Sequence, residues 1–349
     1  MRVRPPLRGW RTAARGWCAE CVERRERRAW GPRLAFRALA THPNPVFVGG
    51  TGRSGTHVLA RLLGHHSRYR DIEIEVRFHC NPRGFPDLLA GRVTLDEFLT
   101  KLRKFWWHRI KSGEPFPALL PSVPLGREER GLYKVVPRDR FDPAVARFEA
   151  AYGSDPVVAC HDLFMAMLAP LAANAGKPGL VEMSSDNVAQ APTLVRVFPG
   201  AKLIHTVRDG RDAGASKVTK RQKRHHPRDG IEGIDWWAER LTRIDRAARA
   251  IPPDRLLVIS LDELAYGDRE RQYGRLLEFL ELEDDPSMRG YFDDEVTADN
   301  AHRDRWRDGL EPSAQDELRR HYERTLDRLA AEGVHCAPEL LRTFERAGV

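Results

Sequence analysis

The sequence predicts an α/β fold, a parallel sheet covered by helices on both faces, and three strand–loop–helix units carry that expectation. Val46-Phe47-Val48 is a short apolar run that breaks into glycines, and His57 to Leu63 then places apolar residues at helical spacing. Ala201-Lys202-Leu203-Ile204-His205-Thr206-Val207 reads as a second strand, preceded by helical periodicity from Asn187 to Phe198 that Pro199-Gly200 closes. Leu256-Leu257-Val258-Ile259 is the third strand, with Tyr273 to Leu280 as its helix. Strands that alternate with helices pair in parallel and are buried on both faces.

The first unit begins just after His42-Pro43-Asn44-Pro45, where prolines remove donors and hold the chain extended. The expected division is therefore a basic arm over 1–42 and one α/β domain over 43–349. Residues 80–155, rich in Pro, Gly and charge and carrying Phe105-Trp106-Trp107-His108, read as a helical insertion over the sheet. Trp106-Trp107 and Trp236-Trp237 read as aromatic core in preference to an acceptor pocket, because large rings mostly bury area.

The 349 residues are 41% hydrophobic, enough for a sizeable core, and no apolar run approaches the roughly 20 residues that span a bilayer. A soluble or at most peripheral protein is expected. Residues 1–40 hold eleven arginines and three glutamates with no lysine or aspartate, which accounts for the whole net charge of +8. Such an arm reads first as a solvated tail or surface helix and second as a contact for an anionic membrane surface; no nucleic-acid partner is expected. Arginines interrupt it throughout, so it lacks the apolar core of a secretory signal. Five cysteines, an odd number in a long chain, fit a reducing cytoplasm, the expected location. Cys18 and Cys21 have C-x-x-C spacing, but no second pair completes a zinc set, and chance is the preferred reading.

The loop Gly50-Thr51-Gly52-Arg53-Ser54-Gly55-Thr56 suits an anion, since glycines let consecutive backbone N–H groups turn toward one charge at a helix N-terminus. Gly50 and Gly55 have the separation of the nucleoside-triphosphate loop G-x-x-x-x-G-K-[ST], which makes the fold P-loop-like. Thr56-His57 stands where that loop has its lysine and its magnesium-holding hydroxyl. Arg53 supplies the positive charge instead, and a guanidinium grips two oxygens at once. The later stretch Arg208-Asp209-Gly210-Arg211-Asp212 places an arginine at the end of the second strand and Ser216 about two helical turns on. Two anion sites at strand ends of one sheet suit a ligand with phosphates at both ends.

These two stretches, Gly52-Arg53-Ser54-Gly55-Thr56 and Val207-Arg208-Asp209-Gly210-Arg211-Asp212 with Ser216, resemble the donor-binding motifs of sulfotransferases that use 3'-phosphoadenosine 5'-phosphosulfate (PAPS). Similarity continues through Phe198-Pro199-Gly200-Ala201-Lys202, Leu261-Asp262-Glu263-Leu264, Leu277-Glu278-Phe279-Leu280 and Arg305-Trp306-Arg307, covering residues 45–310. The resemblance implies the sulfotransferase fold and sulfuryl transfer from PAPS to a hydroxyl or amine on a small molecule, glycan, lipid or protein. It implies a donor site of Gly52, Arg53, Ser54, Gly55, Thr56 and His57 for the 5'-phosphosulfate, Arg208 and Ser216 for the 3'-phosphate, and Arg305 beside them. An ATP-dependent phosphotransferase and a noncatalytic anion-binding membrane protein are the alternatives.

Sulfuryl transfer needs a deprotonated acceptor, an in-line approach to sulfur and positive charge on the leaving phosphate. Arg53 is the expected charge stabiliser, and no metal is expected. In tyrosylprotein sulfotransferases a glutamate just after the helix that follows the loop serves as base, in a context similar to Glu75-x-Arg77 once one residue is inserted. Glu75 is thus the expected base, with His57 and His79 as rivals. If its segment is extended, Glu73, Glu75 and Arg77 share one face. Many relatives carry a lysine before the second strand, as E-K-T-P, whereas this chain reads Glu182-Met183-Ser184-Ser185. Ser184, Ser185, Lys134 and Arg305 are candidates to replace that cation, and Ser184 with Asn187 also reads as a helix cap.

Overall fold

A computed structural model describes residues 44–111, 128–219 and 226–347. The basic arm and the Cys18/Cys21 pair lie outside the described residues. Asn44 accepts a hydrogen bond from the Gly200 N–H at 3.2 Å, and the chain runs directly into β1 (Val46–Gly50), buried throughout. The helix α1 (Thr56–His65) leads to the edge strand β2 (Tyr69–Asp71).

The insertion carries α2 (Phe85–Leu89), α3 (Leu95–Lys101), a π turn over Leu102–Trp106, the antiparallel pair β3 (Arg109–Lys111) and β4 (Glu128–Arg130), a 3-10 turn over Leu132–Lys134, and α4 (Arg138–Ala151). Its described residues are mainly helical, with a short hairpin between the helices. Thr94 and Glu97 form a reciprocal capping box that starts α3. Trp106 lies in its core beside Phe98, and Trp107 packs on Phe141 at 5.3 Å, so this tryptophan pair is aromatic core.

Asp155 caps α5 (Pro156–Asn174), which precedes β5 (Gly179–Glu182). By length and composition α5 is long and apolar enough to cross a membrane, which corrects the expectation that no such run exists. Its Leu163, Phe164, Met167 and Leu168 are buried in the fold, and the Phe164 ring meets Phe47 of β1 edge-on at 5.8 Å. The chain continues through α6 (Ala191–Val197), β6 (Lys202–Val207), α7 (Gly210–Val218), α8 (Gly230–Ala248), β7 (Leu256–Ser260), α9 (Leu261–Ala265), α10 (Arg269–Leu280), α11 (Pro286–Glu295) and α12 (Ala298–Ala301). A 3-10 turn over Arg305–Arg307 then leads into α13 (Pro312–Ala331) and α14 (Ala337–Ala347).

Five parallel strands form the sheet in the order β2-β5-β1-β6-β7. Side chains alternate across β1: Phe47 faces the aromatic core under α5 and the insertion, while Val46 and Val48 face α1, α10 and α11. That alternation is why both faces need helices. Because β5 and β6 flank β1, the chain crosses over β1 between them, and the crevice at the carboxyl ends of β1 and β6 is the place where such sheets bind ligands. Both anion motifs leave from those two strand ends.

Candidate active site

The first motif turns sharply between β1 and α1. Gly52 (φ 80°), Arg53 (φ 64°) and Gly55 (φ 88°) are left-handed, which is costly for the arginine and curls successive N–H groups inward. Gly55 has a second constraint: a Cβ there would lie 2.7 Å from Leu261 Cδ2 of α9. Leu59 makes the first helix-closing bond of α1, to the Gly55 carbonyl at 3.1 Å. The N–H groups of the preceding turn therefore have no intrahelical acceptor and face the crevice at the positive end of the helix dipole.

The side chains in this loop divide. Arg53 is exposed, and His57 lies on the exposed side of the first turn of α1. Ser54 is fully buried: its Oγ sits 3.2 Å from Thr206 Oγ1, which donates to the Gly49 carbonyl at 3.1 Å. The hydroxyl expected to hold the anion is thus turned into the sheet. Thr56 opens α1 with its side chain buried.

The second motif is held by buried charge. Asp209 caps α7 by accepting from Arg211 N–H at 2.8 Å, and its own N–H donates to Asp262 at 2.6 Å. Arg211 grips both oxygens of Asp209 and stacks on Trp306 and Tyr322, so this arginine fastens α7 to α13 inside the fold. Asp212 accepts from the N–H groups of Asp304 and Trp306 at 3.1 and 3.0 Å, fixing the turn that carries Arg305. Burial, then repulsion from Asp209, pushes Asp212 up to about 7 and Asp262 up to about 6. Gly214 of α7 meets Gly233 of α8 backbone to backbone, where a Cβ would be 2.7 Å from the Gly233 carbonyl carbon. This close crossing sets the level at which Ser216 stands.

Arg208 is buried and knits the crevice together. Its Nη2 donates to the carbonyls of Ala301 and His302 at 2.6 and 2.9 Å, and its Nη1 reaches the Arg53 carbonyl at 3.4 Å. Its Nε is buried without a partner, an unpaired cationic donor that an anion would satisfy. Arg53 Nε donates to Ser216 Oγ at 2.8 Å. Partial burial and the charges of Arg208 and Arg305 lower the pKa of Arg53, while Glu75 opposes them. One crevice therefore brings together Arg53, Ser216, Arg208, Arg305 and Glu75.

Glu75 follows β2 in a loop and not in an extended strand, since Arg77 has φ 69°. The shared face of Glu73, Glu75 and Arg77 does not form. Arg77 Nε and Nη2 instead turn back onto the same Glu75 oxygen, Nε at 2.8 Å, so that Arg77 engages Oε2 and not Oε1. Partial burial, with Arg61 and Arg53, lowers the pKa of His57, and Glu75 partly offsets them.

His79 is removed as a rival base. It is fully buried, stacked on Phe47, and its Nε2 lies 3.0 Å from Glu182 and 2.8 Å from Asn187. Glu182 ends β5 as a fully buried carboxylate that accepts from Ser184 Oγ, Ser184 N–H, Val76 N–H and Asn187 Nδ2 at 2.7 to 3.0 Å. Burial would raise its pKa, but the His79 charge and these donors bring it down to about 2. Ser184 accepts from Arg77 N–H at 3.1 Å, so Glu182 and Ser184 hold the loop that presents Glu75.

Ser184 is therefore neither a free donor nor a helix cap with Asn187, which caps nothing with its side chain. Met183 is buried in the core. Ser185 lies against the loop: its carbonyl accepts from Gly50 N–H at 2.9 Å, and its Cβ is 3.9 Å from where a Gly52 Cβ would stand. Lys134 is exposed on its 3-10 turn, with no contact to the loop among the described residues. Trp237 is buried against Tyr322 at 5.6 Å, and half-buried Trp236 lies beneath Lys217 and Arg240.

Residues 45–286 match the sequence profile described as "Sulfotransferase family". No curated protein matches the sequence. Similar solved structures include a sulfotransferase domain from the Synechococcus PCC 7002 olefin synthase (18% identity, 83% of this chain and 95% of that one, TM-score 0.46). Others are a sulfotransferase domain from the curacin biosynthetic pathway (17%, 82% and 98%, TM-score 0.48) and sulfotransferase STF1 from Mycobacterium tuberculosis H37Rv (14%, 75% and 73%, TM-score 0.41). With the family profile spanning both anion motifs and the strands that carry them, this chain belongs to the sulfotransferase family.

Proposed function

We propose that this sulfotransferase takes its sulfuryl group from PAPS and passes it to a hydroxyl or amine acceptor. The observation that supports this donor most directly is the hydrogen bond from Arg53 Nε to Ser216 Oγ, which joins the two anion motifs at one crevice. The loop N–H groups and Arg53 take the 5'-phosphosulfate, and Ser216 with the unpaired Nε of Arg208 takes the 3'-phosphate. Glu75 Oε1 accepts the acceptor's proton as its oxygen or nitrogen attacks sulfur. The bond from sulfur to the bridging phosphate oxygen breaks, and Arg53 stabilises the charge that gathers there. Arg305, the cation beside Arg53, stands in for the lysine that Met183 replaces.

Calorimetric titration with adenosine 3',5'-bisphosphate and, separately, with ATP plus magnesium tests the donor. The bisphosphate is expected to bind at least about tenfold more tightly, a gap of about 1.4 kcal/mol. Equal or tighter binding of ATP removes the PAPS reading. A lysate screen with sulfur-labelled PAPS then identifies the acceptor class.

A further inference from the structure

Among the described residues one cluster outside the crevice has the chemistry of a metal site. His205 of β6 and His335 and Cys336, which lie between α13 and α14, bring one ligand atom each within 4.8 Å of one another. His205 and Cys336 are fully buried, and the His335 side chain is 19% exposed, so the cluster sits just beneath the surface with a route to solvent. His205 Nδ1 and His335 Nε2 are 3.0 Å apart.

We propose that His205, His335 and Cys336 bind one divalent zinc-like ion, which fastens the α13–α14 pair to strand β6. The donor set is two imidazoles and one thiolate, the borderline-soft combination that suits zinc and disfavours magnesium or calcium. A metal at the usual ~2.0–2.1 Å from both nitrogens would subtend an angle of about 95° at the observed spacing, and opening the pair by about 0.3 Å reaches the tetrahedral value.

His335 is already oriented for the task. Asp245 of α8 accepts from His335 N–H at 2.8 Å and lies 2.9 Å from His335 Nδ1, which fixes the proton there and leaves Nε2 as a lone-pair donor. Arg249 holds the other Asp245 oxygen at 2.6 Å. Carboxylate, imidazole and metal in line is the arrangement that raises ligand basicity. A doubly charged ion would be met by two anionic groups, the Cys336 thiolate and the Asp245 carboxylate that Arg249 also pairs, so most of its charge is offset beside the partly exposed edge of His335. The exposed edge of His335 is where a water would complete four-coordination.

The site is separate from the transfer chemistry, for which no metal is invoked. His205 nevertheless stands on β6 three residues before Arg208, which follows the end of that strand, so the ion would brace the strand end from which the second anion motif leaves. No local spacing points to this group, because His205 lies 130 residues before the adjacent pair His335-Cys336, far from the close spacing of zinc motifs.

The full-length protein is incubated with zinc chloride or cobalt chloride and dialysed against buffer. About one equivalent of zinc is expected to remain, cobalt is expected to give a near-ultraviolet thiolate charge-transfer band, and zinc is expected to raise Tm by about 5 °C at a hundredfold excess over Kd. Cys336→Ser should abolish the band, and His335→Gln, on the accessible edge, should remove the zinc-induced Tm shift measured against that variant's own apo form. A Cys18→Ser/Cys21→Ser double variant should keep both. No retained metal in the wild type overturns the proposal, as does a band that survives Cys336→Ser or disappears with the Cys18/Cys21 pair.

Discussion

Arg53 Nε donates to Ser216 Oγ at 2.8 Å across 163 positions of sequence, and this single bond ties the loop after β1 to the helix after β6. The two residues should act on donor binding as a pair. Arg53→Ala is expected to weaken adenosine 3',5'-bisphosphate by about 50-fold, because a charge-assisted grip is lost, and Ser216→Ala by about fivefold. The double variant should fall short of the sum by about 1 kcal/mol. Calorimetry on the four proteins closes the cycle, and strict additivity with no loss in either single variant contradicts a shared site.

Glu75 is held through one oxygen by Arg77, which leaves the other oxygen outside that ion pair. Glu75→Gln is expected to lower kcat by about 10²- to 10⁴-fold with a proven acceptor, the range of a lost general base. Bisphosphate affinity should stay within about twofold, which separates a lost proton acceptor from a collapsed loop. Full turnover in this variant would pass the role of base to His57.

Glu182 gives a pH signature. Its pKa falls from an ordinary 4.5 to about 2 in the fold, so its ionised form stabilises the native state above pH 4.5, and that stabilisation is lost as pH falls toward 2. The shift corresponds to about 3 kcal/mol. Glu182→Gln should therefore lower Tm strongly at pH 7, and the gap to wild type should shrink between pH 4.5 and 2. Thermal melts across that interval decide it; a gap of constant size throughout would show that the ionised carboxylate is not what Glu182 contributes.

Asp212 accepts from both Asp304 and Trp306 N–H, using two oxygens where asparagine has one acceptor. Asp212→Asn should free one end of the turn that carries Arg305. Faster amide exchange at residues 302–307 and a bisphosphate affinity about tenfold lower are expected, and hydrogen–deuterium exchange reads the first directly. Unchanged exchange there would mean the turn is held by other contacts.

The sequence showed the parts of this site that lie in short local patterns. The glycine-broken strand end at Val46–Gly50, the apolar β6 and the Arg208 to Ser216 spacing each sit within a dozen residues, and all three strands and their helices form where the periodicity placed them. What it hid is long-range. β5 is only four residues long, too short for its pattern to mark it, so Glu182 could not be told from a surface acid, although it is the buried anchor of the Glu75 loop. Ser54 looked like a donor to an anion, and only the register of β1 against β6 reveals that Thr206 takes its hydroxyl. Asp262 matters through the N–H of Asp209, a pairing across two strand ends that no spacing rule encodes. The apolar α5 shows the converse: a helix whose composition would suit lipid is used to cover aromatic rings on the sheet.

Gly55 and Leu261 make the donor loop a two-column problem. A methyl group at 55 would strike the Leu261 side chain 2.7 Å away, and the left-handed backbone there resists any side chain independently. Position 55 therefore cannot take a side chain while Leu261 stays where it is. A design that alters position 55 has to shrink position 261 with it and accept a reshaped turn, and among relatives these two positions are expected to change together or remain as they are.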